Sequence, residues 1–207
     1  MDSEKPNFGQ LDLLKELGTI GSASAATALA ELVDKKVDII VPSVELVPLD
    51  NISSLLGEFE KLYYVLVMEI EGDVTGSIFL LFSVNNAKNL TDILLNKLDQ
   101  KEDIQNNNAL FQSCLKEAAN ILCGAYISAL SEMSNLKILP TVPSIALDMV
   151  GAILDFIFIN IAQETEKALV VKTNVNVSGL NNVEGLFLMF PSNKSLKRIF
   201  ETFGLKE

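Results

Sequence analysis

Between Asp12 and Val33, Leu13, Leu14, Leu17, Ile20, Ala28, Leu29 and Leu32 fall on one side of a helical period, the pattern of a helix with one buried face. The middle of this stretch, Gly18 to Ala30, is built mainly of Gly, Ala, Ser and Thr, small side chains that let a neighbouring element approach closely. A glycine inside a helix costs about 1 kcal/mol against alanine, so Gly18 and Gly21 imply a packing reason. Lys35-Lys36 interrupts the pattern, and Val37–Val41 reads as a short strand ended by Pro42. Leu49–Leu56 suggests a short helix. Leu62–Glu71 and Thr75–Ser83 read as two strands around a turn at Gly72-Asp73. Asn86–Leu98 reads as an amphipathic helix, and the polar run Asp99–Asn108 as a joint.

The second half repeats the order. A helix is expected over about Leu110–Ser134, strands over Lys137–Val142, Ala168–Ser178 and Gly185–Phe190, and a closing helix over Ser195–Phe203. Ala146–Ala162 is ambiguous, and a helix is favoured because the first half places one after its proline. The repetition reaches individual residues at a fixed offset of 101. Leu14-Lys15-Glu16 recurs as Leu115-Lys116-Glu117, and Val41-Pro42-Ser43 as Val142-Pro143-Ser144. Ile20, Ala28, Leu29 and Glu31 recur as Ile121, Ala129, Leu130 and Glu132. Internal repeats constrain architecture before anything else does. Each half alone would expose a face of its strands, so residues 1–207 are expected to form one α+β domain. It would consist of two repeats (about 10–98 and 110–205) related by a pseudo-twofold, with a shared β-sheet and two long equivalent helices.

Composition narrows the function. At 207 residues with 49% hydrophobic and 21% charged, the chain has a globular balance. A net charge of −11 disfavours nucleic acid and anionic membrane surfaces, which need basic patches. No segment is apolar for the about 20 residues a bilayer span requires, and no signal peptide is visible, so a cytoplasmic protein without membrane insertion is expected. There is no histidine, which removes Ser-His-Asp and Cys-His catalysis and the common zinc sets; no metal site is expected. Cys114 and Cys123 lie nine apart, about 13 Å along one helix, too far for a disulfide between them.

The residues left for chemistry are carboxylates, amides and hydroxyls. Asp12-x3-Glu16-x2-Thr19 is followed after 22 residues by Pro42, and Ser113-x3-Glu117-x2-Asn120 after 22 residues by Pro143. Residues three and four apart share a helix face, so each set projects together. A Glu on such a face is most often merely solvated, and duplication alone would preserve structural residues. Asn120 is more telling. Asn is a poor helix-interior residue because its amide competes for backbone hydrogen bonds. That amide donates and accepts without charge, which suits orienting a water but not acting as a titrating base.

The doubled motif [Asp/Ser]-x3-Glu-x2-Asn-x22-Pro resembles that of the CheC/CheX/FliY family of chemotaxis phosphatases. The surrounding segments, ELGTIGSASAATALAELVDKKVDIIVPSVELVP from Glu16 and KEAANILCGAYISALSEM from Lys116, are similar to its CheC members. The resemblance runs from about residue 10 to the C-terminus and implies a CheC-like fold. It also implies hydrolysis of the aspartyl phosphate of phosphorylated CheY. Glu117 would pair with the regulator's active-site lysine, and Asn120 would hold water in line with phosphorus. No cofactor of the chain's own is implied, since the Mg²⁺ would be supplied by the response regulator. Thr19 stands where the family has Asn and is shorter, so Glu16 and Thr19 are expected to form a weak or inactive second site. Asp12 and Ser113 are expected to support or cap. The resemblance further implies binding of the receptor deamidase CheD near Asp148, after Pro143. The alternative is a non-catalytic binding module that regulates CheD or docks at the flagellar switch. Two equivalent halves in one chain can supply what a homodimer would, so a monomer is expected.

Overall fold

The computed structural model describes residues 8–95, 108–178 and 182–205. Helix α1 (Phe8–Val33) leads into β1 (Val37–Pro48), a 3₁₀ turn (Leu49–Asn51) and α2 (Ile52–Leu56). Strands β2 (Leu62–Gly72) and β3 (Gly76–Ser83) follow, then α3 (Val84–Leu95). The second half runs α4 (Asn108–Ser134), β4 (Ile138–Pro140), β5 (Ser144–Met149), α5 (Val150–Phe156) with a π-helical extension to Ile161, β6 (Lys167–Val177), β7 (Val183–Pro191) and α6 (Asn193–Thr202). This is an α+β architecture. Residues 96–107, which include most of the expected joint and the end of the expected 86–98 helix, lie outside the described residues.

All strands pair antiparallel in one sheet of order β1-β6-β7-β3-β2-β4, with β5 lying on the same edge of β2 as β4. One face is covered by α1, α3, α4 and α6 over Leu66, Met68, Leu80, Phe82, Val171, Phe187 and Met189. The other carries α2 and α5 over Val65, Phe79, Leu81, Val170, Leu188 and Phe190. The strand order reads the same when the elements of the two halves are exchanged. Each half sends one strand across to pair with the other: β1 onto β6, and β4–β5 onto β2. The registers correspond as well. Ser43 lies opposite Lys172 as Ser144 lies opposite Val67, and Leu80 pairs with Phe187 at the centre. Backbone bonds outside the ladders follow the same rule: Ser178 N–H donates to the Lys36 carbonyl at 3.1 Å, and Asp73 N–H to the Lys137 carbonyl at 2.7 Å. Among the described residues two non-glycine residues have positive φ, Asp34 (54°) and Asn135 (52°). Each directly follows a long helix, where a left-handed residue turns the chain out of the helix and Asp or Asn tolerates it best after glycine.

The glycines of α1 have the packing reason their cost implied. A Cβ on Gly21 would overlap the Tyr126 ring of α4 and stand 3.1 Å from the Tyr126 Cα. One on Gly18 would come within 2.7 Å of Val44 Cγ2 on β1. These absences seat α1 closely on both α4 and the sheet.

Three expectations are corrected. Strand β1 does not end at Pro42 but continues to Pro48, because a register irregularity between Ile40 and Ser43 takes up the proline. Pro42 sits on an edge strand at a bulge, one of the few places a sheet tolerates a residue without an N–H. The 137–142 strand is shorter, Ile138–Pro140. The 146–162 segment is not helical throughout. Its first residues belong to β5, which pairs with β2 from Ser144 to Met149, and the helix begins only at Val150.

Candidate functional site

Helices α1 and α4 bury one face each and turn the other to solvent. On α4, Leu115, Ala118, Ala119, Leu122 and Cys123 are at most 2% exposed, while Ser113, Glu117 and Asn120 are all exposed. On α1, Leu13, Leu14 and Leu17 are buried, while Asp12, Glu16 and Thr19 are exposed. The structure therefore brings each predicted trio together on one outward helix face. Both helices lie on the same side of the sheet and pack against each other at Gly21 and Tyr126.

The two faces differ at the one position where their chemistry would diverge. The Thr19 hydroxyl donates to the Lys15 carbonyl one turn back, at 2.9 Å. That bond folds the side chain onto its own helix, a common fate of a helical threonine. Asn120 makes no such bond among the described residues, so its carboxamide stays outward with donor and acceptor both unused. Glu117 has no ion-pair partner among the described residues either. No group of three or more His, Cys, Asp or Glu residues that could hold a metal ion occurs among the described residues.

Asp148 is exposed but sits on strand β5, opposite Tyr63, not on a helix. Its Oδ1 accepts the Met149 N–H at 2.9 Å. The two prolines of the motif are not alike: Pro42 is exposed on β1, whereas Pro143 is buried in the break between β4 and β5. Behind the α4 face, burial pushes the Cys123 thiol up to about 12 and raises half-buried Cys114 less. Burial also raises Tyr126, whose hydroxyl lies 3.5 Å from Thr173 Oγ1. Gly124, one turn past Asn120, carries no mark in the sequence beyond being a glycine inside a long helix.

A sequence profile described as the CheC-like family matches residues 10–46 and 111–147. The chain is 30% identical over 196 residues to the CheY-P phosphatase CheC of Bacillus subtilis (strain 168), covering 94% of both. The chain belongs to the CheC-like family. The two matched segments are displaced by the same 101 residues as the internal repeat, and they contain Asp12, Glu16, Thr19, Ser113, Glu117 and Asn120. The chain is also 29% identical over 127 residues to the flagellar motor switch phosphatase FliY of Bacillus subtilis (strain 168), which is 61% of this chain and 32% of that protein. Among solved structures, Thermotoga maritima FliY superposes with a TM-score of 0.73 at 20% identity, covering 98% of this chain and 99% of that one. That likeness establishes a shared fold.

Proposed function

We propose that this protein is a chemotaxis phosphatase that hydrolyses the aspartyl phosphate of phosphorylated CheY, with the α4 face as its active surface. The observation that carries the proposal is the exposed pair Glu117 and Asn120 on a well-packed helix, inside a segment matched by the CheC-like family. Glu117 forms an ion pair with the regulator's active-site lysine and fixes the docking geometry. Asn120 enters beside the acyl phosphate and orients a water in line with phosphorus. The water oxygen bonds to phosphorus as the bond from phosphorus to the aspartyl oxygen breaks, releasing inorganic phosphate and the regulator's free carboxylate. The chain contributes positioning, and positioning alone can lower such a barrier greatly. The Mg²⁺ that neutralises phosphate charge belongs to the regulator in this reading.

The Glu16 and Thr19 face is proposed to be weak, because the Thr19 hydroxyl is spent on the Lys15 carbonyl. Asp12 and Ser113 are exposed one turn before each Glu and are assigned supporting roles. The reading takes 1–207 as one domain of two repeats, supported by the exchange symmetry of strand order and register. A monomer acting in the cytoplasm belongs to the same proposal. The second reading, a binding module for CheD, is favoured by the exposed edge strand that carries Leu147, Asp148 and Met149. Decay of phosphorylated CheY separates the two. Acceleration by the wild type that is lost in Glu117→Ala and Asn120→Ala supports the phosphatase. No acceleration, together with tight binding of CheD that Asp148→Lys weakens, supports the module.

A further inference from the structure

We infer that Gly124 is a clearance position, kept without a side chain so that the backbone of the phosphorylated regulator can lie directly on α4 beside Glu117 and Asn120. The inference rests on the phosphatase reading and adds a positioning residue to it. Glycine is the least favourable residue but proline in a helix interior, so each one needs a reason. Gly18 and Gly21 have theirs inside the molecule, against Val44 and Tyr126. Gly124 has none among the described residues: a Cβ built there meets none of their atoms within 4 Å. Its direction is outward, into the space a docked partner would occupy. At about 100° per residue, Gly124 points between Glu117 and Asn120, and it lies about 6 Å along the axis from Asn120. The missing side chain therefore sits within the proposed docking surface and not at its margin.

The first repeat sharpens the point. The position equivalent to Gly124 is Ala23, which is exposed and carries a Cβ. The α1 face thus differs from the α4 face not only at Thr19 for Asn120 but also at Ala23 for Gly124. Restoring the amide alone leaves the approach obstructed.

The test uses steady-state dephosphorylation of CheY together with thermal unfolding. Gly124→Ala is expected to raise Tm by about 2–4 °C, the usual gain of alanine over glycine in a helix of a chain this size. It is expected to raise KM about tenfold with kcat retained, the fold-change of modest overpacking at an interface. Gly124→Leu raises KM further while remaining folded. A merely structural glycine would not couple higher stability to weaker docking. In an Asn120→Ala background, Thr19→Asn alone restores nothing, whereas Thr19→Asn with Ala23→Gly restores measurable turnover. Wild-type KM in both Gly124 variants overturns the inference while leaving the phosphatase reading intact. A wild type that does not accelerate decay overturns the reading, and the inference with it.

Discussion

Gly21→Ala tests how the two long helices are held together. In an unhindered helix this change stabilises by about 1 kcal/mol. Here the new methyl would overlap the Tyr126 ring and stand 3.1 Å from the Tyr126 Cα, so rotating the ring does not relieve it. The ring is also held from behind, 5.2 Å from Phe187 between centroids. Overpacking of this kind costs about 1–3 kcal/mol. Setting the helix gain against that cost leaves a net loss of about 1 kcal/mol, because the backbones of α1 and α4 must part. For a chain of this size that lowers Tm by about 2–4 °C. Chemical and thermal denaturation followed by circular dichroism reads it directly. Tyr126→Ala in the same background removes the ring and leaves only the approach to the residue 126 Cα, so a double-mutant cycle gives a coupling of about 0.5 kcal/mol or more. If Gly21→Ala raises Tm as an ordinary Gly→Ala does, the close seating of α1 on α4 is wrong.

Further outcomes follow from groups away from the helix faces. The Asp73 carboxylate is held below its usual 3.8, first by the Lys137 N–H it accepts at 2.9 Å and then by Arg198, also at 2.9 Å. A folded-state pKa below the unfolded one means this contribution is present above about pH 4 and is lost as pH falls through the lower folded value. Asp73→Asn should therefore lower stability at neutral pH and flatten the acid limb of the stability profile, measured as urea midpoints against pH. Ellman's reagent should label Cys114 slowly and leave Cys123 untouched in the native protein, with both reacting in denaturant. In the native protein neither thiol reaches the rate of a free cysteine, since burial raises both, Cys123 to about 12. Phe79→Ala should cost about 3–5 kcal/mol, because its ring is 1% exposed and packs edge-on against Phe190 at 5.2 Å.

Much of this fold is legible from hydrophobic period, since the long helices each alternate a buried with an exposed face and β2 and β3 are strongly apolar. The errors have physical causes. Pro42 reads as a strand end because it lacks an N–H, but on the outer edge β1 a bulge absorbs it without losing the ladder. Ser144–Met149 does not read as a strand because it lies on the opposite edge with most side chains exposed, so period-2 burial never appears in it. The candidate site is marked in the sequence by Asn120, a poor helix-interior residue, whose side chain makes no local hydrogen bond among the described residues. The direction of the Thr19 hydroxyl, and the emptiness around Gly124 beside the crowding at Gly21, depend on three-dimensional neighbours and leave no trace in residue identity.

The central claim is that Asn120 acts on the water and not on docking. Single-turnover decay of phosphorylated CheY at saturating Asn120→Ala, with binding of the phosphorylated regulator measured separately, tests it most directly. The account predicts that binding is retained and that the saturated rate falls by about 100-fold, or to the regulator's own rate if that is reached first. A saturated rate equal to that of the wild type, or a loss confined to binding, would contradict it.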